Sequence, residues 1–564
     1  MVRERLATVV DGSLIEGLEA KLDDVASIER IRAGKFVVIE GTAYRFFSLI
    51  TDVQLRSSTQ KMLMDPPSAE ADAFVRSVLS GTTAYGVVRL SPMLMLPVTG
   101  GFASADAPDL QPVRTIPSHF CPVYEADAHD FSAVFGSADD SHFPIGKPLD
   151  NDVPLCLDLR RFVERSNGVF GKSGTGKSFL TRILLCGLIE RNICGNLIFD
   201  MHNEYGWSGT AEGGAGTVKG LKQLFGSRIL IYTLDKESSA RRGVQPDSVV
   251  TIDASEIGLD DLTLLSRELN ISEAGLETCA LLERKFGSRW LTTLTDWENA
   301  ELDEHANDIG LHPAALSAVW RKLAVLRKKP YITWHGRPQD ITAKISWDSL
   351  GEQETASSRS IVKEMLDQIA SGRHIVLEFG RHLDTLSYML VASIITRAVR
   401  NAYVEATERH QNSQLPQERP RQLMITIEEA HNFLSQEAAR STTFGQIARE
   451  MRKYSVTLLV VDQRPSGIDT EVLSQIGTRI TCLLDDERDV DAVLNGISGA
   501  RQLRSILATL EAKQQAMLIG YATPMPIVLA TRSYDASFFS ELSKARQEPT
   551  AEKMEATMRK LFPR

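Results

Sequence analysis

The chain has 564 residues, 43% hydrophobic and 24% charged, a soluble globular balance too long for one ordinary core; at roughly 150 residues per domain it predicts about three or four units. A net charge of −10 excludes a protein that coats nucleic acid with its whole surface but leaves room for a basic channel. The longest apolar runs, such as 458–461, are far too short to cross a bilayer, so no membrane partner is expected. The start, Met1-Val2-Arg3-Glu4-Arg5, lacks the apolar core of a signal peptide and predicts a cytoplasmic chain. Cys121, Cys156, Cys186, Cys194, Cys279 and Cys482 are scattered with no C-x-x-C pair, which predicts buried reduced thiols rather than disulfides or zinc.

Residues 1–125 hold short β-rich segments at 35–39, 45–50 and 84–90, punctuated by Gly34, Gly41 and Gly81. They read as a small β-barrel for assembly or docking, since no acid, base or nucleophile constellation accompanies them. Residues 126–152 are rich in Asp, Pro and His and read as a connector. His129, Asp139, Asp140 and His142 have no recognised metal spacing and read as a solvated loop.

From 153 to 255 strand, loop and helix alternate, as a parallel α/β sheet requires. Here lies Gly171-Lys172-Ser173-Gly174-Thr175-Gly176-Lys177-Ser178, a full match to the phosphate-loop pattern G-x-x-x-x-G-K-[ST]. The glycines let backbone N–H groups curl around phosphate oxygens, Lys177 reaches the β/γ-phosphates, and the Ser178 hydroxyl can ligate Mg²⁺. The context agrees, with a strand tail at 167–170 before it and a buried helical pattern at 178–190 after it. Gly171, Ser173, Gly174, Thr175, Gly176, Lys177, Ser178 and Phe179 are the expected nucleotide-binding residues. The next buried strand, 196–200, ends in Asp200 with Glu204 close behind. These acids either help to order a catalytic water or Mg²⁺, or bond the backbone of a strand-end turn.

Residues 256–345 carry a helical period, with Leu262, Leu265, Leu269, Leu316, Val319, Leu323 and Leu326 on the apolar stripe. Arg321, Lys322, Arg327, Lys328 and Lys329 fall off that stripe, as a solvated basic face or one laid against phosphates or an acidic partner. From 346 to 533 the α/β pattern resumes: a strand at 374–379, a helix from about 383 to 406, an exposed loop at 407–422, then the apolar strand 423–427 ending at Glu428-Glu429. At such a strand end the first acid holds the Mg²⁺ shell, usually through water, and the second orients or deprotonates the attacking water. The usual first residue is Asp, so Glu428 is longer by a methylene. His431 has no metal-ligand partner at a recognised spacing and reads as structural or coupling. A helix through Arg449, Arg452 and Lys453 precedes the strand 456–461, which ends at Asp462-Gln463. Gln463 is placed to sense a γ-phosphate, with a plain strand-end amide as the alternative. Further units follow at 479–484, 489–494 and 516–519, and 534–564 reads as an amphipathic tail helix to pack on a neighbour.

The motifs G-K-S-G-T-G-K-S at 171–178, F-D-M-H-N-E-Y at 199–205, I-E-E-A-H at 427–431, M-R-K-Y-S at 451–455, D-Q-R-P-S at 462–466 and A-M-L-I-G at 516–520 occur in that order. In this the chain resembles the HerA family of hexameric DNA translocases, of the HerA/FtsK branch of RecA-like ATPases. The resemblance implies an α/β fold: a RecA-like P-loop NTPase core with an N-terminal small β-barrel, a helical insertion and a C-terminal helix. It also implies a homo-hexamer, ATP and Mg²⁺ at each subunit interface, double-stranded DNA in the central pore, and a docked effector. Arg452 and Arg165 sit where the family places arginines that act on the neighbouring subunit's nucleotide. The expected catalytic set is then Lys177, Glu428, Glu429, Gln463, Arg452 and Arg165, with Ser178 and Glu428 at the metal. Departures are Glu428 for the usual Asp and Met451 where the family often has Gly. The leading expectation is an ATP-driven DNA translocase or helicase working with a nuclease or other effector. The alternative is an ATP-regulated hexameric scaffold controlling a nuclease or a sirtuin-like NAD hydrolase in antiviral defence.

Overall fold

The computed structural model describes residues 3–23, 28–58, 84–98, 110–149, 151–210, 217–334, 357–382, 384–441, 443–497 and 499–547. The far tail, 548–564, and the expected junction between helical stretch and second core part, 335–356, lie outside them.

Near the amino terminus six strands run in the order Gly17–Leu22, Arg5–Ser13, Pro122–Glu125, Phe36–Glu40, Tyr44–Ser57 and Ala84–Pro97. The last returns to pair with the first, Leu18 opposite Leu90, so the sheet closes into a barrel. The two-residue period of these strands sends Val37, Ile39, Phe46, Ile50, Val88, Leu90 and Val123 inward. Register shifts between Phe47 and Ser48 and between Ile50 and Asp52 bend the longest strand pair around that interior.

The second sheet has twelve strands among the described residues. Its parallel part runs Ser248–Val249, Ile229–Thr233, His374–Glu378, Gly195–Asp200, Leu423–Glu428, Val456–Asp462, Asn167–Phe170 and Thr478–Thr481. It then turns antiparallel through Gln515–Gly520, Ile527–Thr531, His142–Pro148 and Leu155–Asp158. The inner parallel strands are buried along their whole length, because helices such as Lys177–Glu190 and Thr385–Ser413 cover the sheet. Register brings the strand ends level: Phe170 lies opposite Asp462, Glu428 opposite Val461, and Asp200 opposite Glu378. One edge of the sheet therefore collects the phosphate loop and the acids.

Several expectations change. His142–Pro148, read as part of a connector, is a strand of this sheet, because its backbone completes the edge left by Ile527–Thr531. Residues 407–413 are not loop; they continue the helix Thr385–Ser413, which stops at Gln414 in left-handed conformation, φ 56°. Between 259 and 328 the helices Leu259–Leu264, Glu273–Phe286, Trp290–Asp296, Leu302–Ile309 and Pro313–Leu323 bury Leu262, Leu282, Trp290, Leu294, Leu316 and Leu323. The chain leaves for them after Ile252–Asp253 and returns at Ile332–Thr333, two short strands paired side by side. Their basic residues do not form one free stripe. Arg327 bonds the Thr295 carbonyl and pairs with Asp296, and Lys329 donates to Asp384 at 2.8 Å and to Ser387 at 3.0 Å.

The tail helix Ala536–Gln547 follows a segment that packs on this same chain. The Tyr534 ring lies 6.2 Å from Phe179, and its hydroxyl donates to the Lys219 carbonyl at 2.8 Å. All six cysteines are buried, and none of them forms a disulfide. No helix among the described residues is long and apolar enough to cross a membrane.

Candidate active site

The strand Asn167–Phe170 delivers Gly171 between two parallel neighbours. The loop is tied to both: Gly171 N donates to the Asp462 carbonyl at 3.3 Å and Lys172 N to that of Leu483 at 3.0 Å. Gly174 and Gly176 hold φ of 78° and 95°, and a Cβ at either would meet nothing within 4 Å. Backbone conformation, with open space in front, is what calls for glycine there. Gly176 caps the helix Lys177–Glu190 with no side-chain hydrogen bond, so the first amides of that helix remain free to bind an anion. Thr175 Oγ1 donates to the Lys172 carbonyl at 2.8 Å, and the buried Lys177 ammonium donates to the same oxygen at 2.7 Å. Burial lowers the Lys177 pKa, while the charges of Cys482, Glu429, Asp462 and Glu428 work the other way. Ser173 is exposed, while Ser178 and Phe179 are half-buried at the helix start. A cradle of this shape fits a polyphosphate.

Glu428 ends its strand and is buried. Tyr205 donates its hydroxyl to Glu428 Oε1 at 2.9 Å, whereas Oε2 has no partner. The Tyr388 hydroxyl donates to the Glu428 carbonyl and accepts from its N–H, each at 3.0 Å. Burial, then the charges of Asp200 and Glu204, push the Glu428 carboxyl up to about 8. A buried carboxylate with one oxygen unused suits a cation, and Ser178 and Glu428 are the residues that would hold Mg²⁺.

Glu429 turns out of the strand line with φ 47°, and Gln463 Nε2 donates to its Oε1 at 2.9 Å. Asp462 grips His431 twice: the His431 N–H donates to Oδ2 at 2.7 Å, and ring Nδ1 lies 3.1 Å from the same oxygen. That hydrogen bond leads the causes that raise the His431 pKa. His431 Nδ1 is also 3.7 Å from Glu429 Oε2, and Glu429, His431 and Asp462 offer ligand atoms all within 4.8 Å of one another. Asp200 accepts from the N–H groups of Glu204 and Tyr205 at 2.7 Å and of Gly206 at 3.2 Å. Of its two sequence readings the geometry is that of the strand-end turn. Burial and Glu378 push its pKa up to about 7.

Arg165 and Arg452 are not brought to this loop. They precede the strands Asn167–Phe170 and Val456–Asp462, at the amino edge of the sheet. The seven residues of the second strand, at roughly 3.3 Å of rise between neighbours, put about 20 Å between its two ends. Asp462, Tyr205 and Tyr388 were not singled out from sequence. Asp462 had a signal, since it ends its strand beside the Glu428 strand; Tyr205 closes the motif at 199–205 but nothing local showed its reach to Glu428, and Tyr388 had no signal, because a distant helix carries it in.

A phosphate loop, paired strand-end acids and a covered parallel sheet define a P-loop ATPase of the RecA-like kind. Residues 143–399 match the family model described as helicase HerA, central domain. The chain is 22% identical to the DNA double-strand break repair helicase HerA of Sulfurisphaera tokodaii over 92% of this chain and 94% of that one. With the helicase of that name from Sulfolobus acidocaldarius it shares 24% over 92% and 94%. Among solved structures, VirB4 of Thermoanaerobacter pseudethanolicus aligns with TM-score 0.41 and 13% identity, covering 72% of this chain and 100% of that one.

Proposed function

We propose that this ATPase works as a homo-hexameric ring in the cytoplasm and moves double-stranded DNA through its central pore. In this reading 1–125 is the assembly barrel, 256–345 a helical insertion between the two core parts (153–255 and 346–533), and 534–564 the tail; the core gains the strand His142–Pro148 from the former connector. Lys177 and the loop amides bind the phosphates of ATP, and Ser178 with Glu428 carries Mg²⁺, which when bound offsets phosphate charge. Glu429 takes the proton of the attacking water, and Gln463, bonded to Glu429, links it to the γ-phosphate position. Arg165 and Arg452 act on the neighbouring copy's nucleotide.

The observation that carries the reading is the split of the set between two edges. Gly171 to Ser178, Glu428, Glu429 and Gln463 meet at the carboxyl ends of neighbouring strands, while both arginines stand at the amino ends. A site divided in this way is completed by a second copy.

Glu429→Gln should bind ATP as the parent does and lose at least about 100-fold in turnover; Lys177→Ala should lose both binding and turnover. Normal hydrolysis in either overturns the site. Stimulation of the ATPase by double-stranded DNA, with displacement of a protein roadblock, is the expected result for a translocase. ATPase indifferent to DNA but changed by a co-purified nuclease or sirtuin-like enzyme would favour the regulatory scaffold instead.

A further inference from the structure

The amino-edge residue Arg165 is held in an unusual way for a cation. Its stem crosses Gly477, where an added Cβ would stand 2.7 Å from both Cβ and Cδ of Arg165. Its guanidinium carbon lies 4.1 Å from the centroid of the Tyr521 ring, and that of Arg161 lies 4.8 Å from the same centroid. The ring is itself fixed. The Tyr521 hydroxyl donates to Glu164 Oε2 at 2.6 Å, and its N–H donates to the Gly477 carbonyl at 2.8 Å. Gly520, with φ 118°, allows this approach, since a Cβ there would fall 2.1 Å from the Gly477 oxygen. The buried Nε of Arg165 has no hydrogen-bond partner, and no ion pair of Arg165 occurs among the described residues.

We propose that Tyr521 is a positioning residue for Arg165, holding its guanidinium in place without neutralising it, for use on the neighbouring subunit's phosphates. This rests on the reading of Arg165 as an arginine that acts between subunits. An acid would restrain the side chain equally well but would cancel the charge that a phosphate needs. An aromatic face restrains a guanidinium and leaves its charge and its N–H donors available. Glu164 is engaged by the Tyr521 hydroxyl, so it steadies the ring in place of pairing with Arg165. Rotamer freedom that Arg165 would lose on meeting phosphate is then already lost in the separate subunit.

The full-length chain tests this with Arg165→Ala, Tyr521→Leu, Tyr521→Phe and the double variant Arg165→Ala/Tyr521→Leu. Tyr521→Leu should lower kcat about tenfold, the range of one cation–π contact, with KM for ATP and ring size unchanged. Tyr521→Phe, which keeps the ring face, should stay within about threefold of the parent. The double variant should be no slower than Arg165→Ala alone, because the two residues act as one unit. If Arg165→Ala is slow but Tyr521→Leu is not, or if the double variant shows additive losses, the proposal is overturned while the trans-arginine reading stands. Normal turnover in Arg165→Ala overturns that reading itself. Should Tyr521→Leu fail to assemble, Gly477→Ala, whose Cβ displaces the Arg165 stem, replaces it; unchanged kcat there overturns the proposal.

Discussion

Glu428 occupies a place where a shorter acid is usual, and its surroundings account for the extra methylene. The Tyr205 hydroxyl, which donates to Glu428 Oε1 at 2.9 Å, comes from the turn after the neighbouring strand, and an aspartate would stop one carbon short of it. Tyr388 holds the backbone of the same residue from the other side of its peptide. Tyr205→Phe leaves both Glu428 oxygens without a partner in a buried setting. That should cost about 1–3 kcal/mol, read as a lowered midpoint in denaturant unfolding, and Glu428→Asp should lose a similar amount by breaking the same bond. Tyr205→Phe should slow hydrolysis much less than Glu429→Gln, because Tyr205 orients an acid and does not touch the attacking water. The acids at 428 and 429 were legible in the sequence as the end of an apolar run, yet their partners were not.

At the scale of elements, His374 starts a strand that lies between Ile229–Thr233 and Gly195–Asp200. Its Nδ1 meets Asn196 Nδ2 at 2.9 Å, and its buried Nε2 has no partner. Burial drives its pKa down to about 3. The unfolded chain takes up this proton near pH 6.5 and the folded one only near 3, so below 6.5 the unfolded state binds more protons. The contribution of His374 is therefore complete above about pH 6.5 and falls away as pH drops toward 3. Urea titrations at pH 7, 6 and 5 should show the parent losing stability with falling pH more steeply than His374→Gln; parallel slopes would refute the assignment. The strand itself was legible from its apolar run. That His374 would be sealed at the sheet's amino end was not, because strand order brings Asn196 to it from 178 positions away.

The whole molecule joins a closed barrel to a sheet with the phosphate loop and acids at its carboxyl edge and Arg165 and Arg452 at its amino edge, which in the proposed ring are complementary halves of one reaction. Mixing subunits tests that arrangement directly. Lys177→Ala rings lack a working loop and Arg165→Ala rings lack the arginine, so each alone should hydrolyse ATP poorly. Rings assembled from both should regain activity at interfaces that pair an intact loop with an intact Arg165. Failure to recover in demonstrably mixed rings, or a monomer by sizing in every nucleotide condition, would remove the neighbour from the mechanism. The phosphate loop, the strand-end acids, Gln463 and the alternation of strands and helices were determined by the sequence alone, because each is set by contacts a few residues apart. Tertiary structure decided the rest: that Tyr205 meets Glu428 across 223 positions, that His142–Pro148 completes the sheet, and that the tail segment packs on Phe179 of its own chain. Period and spacing encode local geometry, whereas strand order is a choice among long-range pairings of similar local patterns.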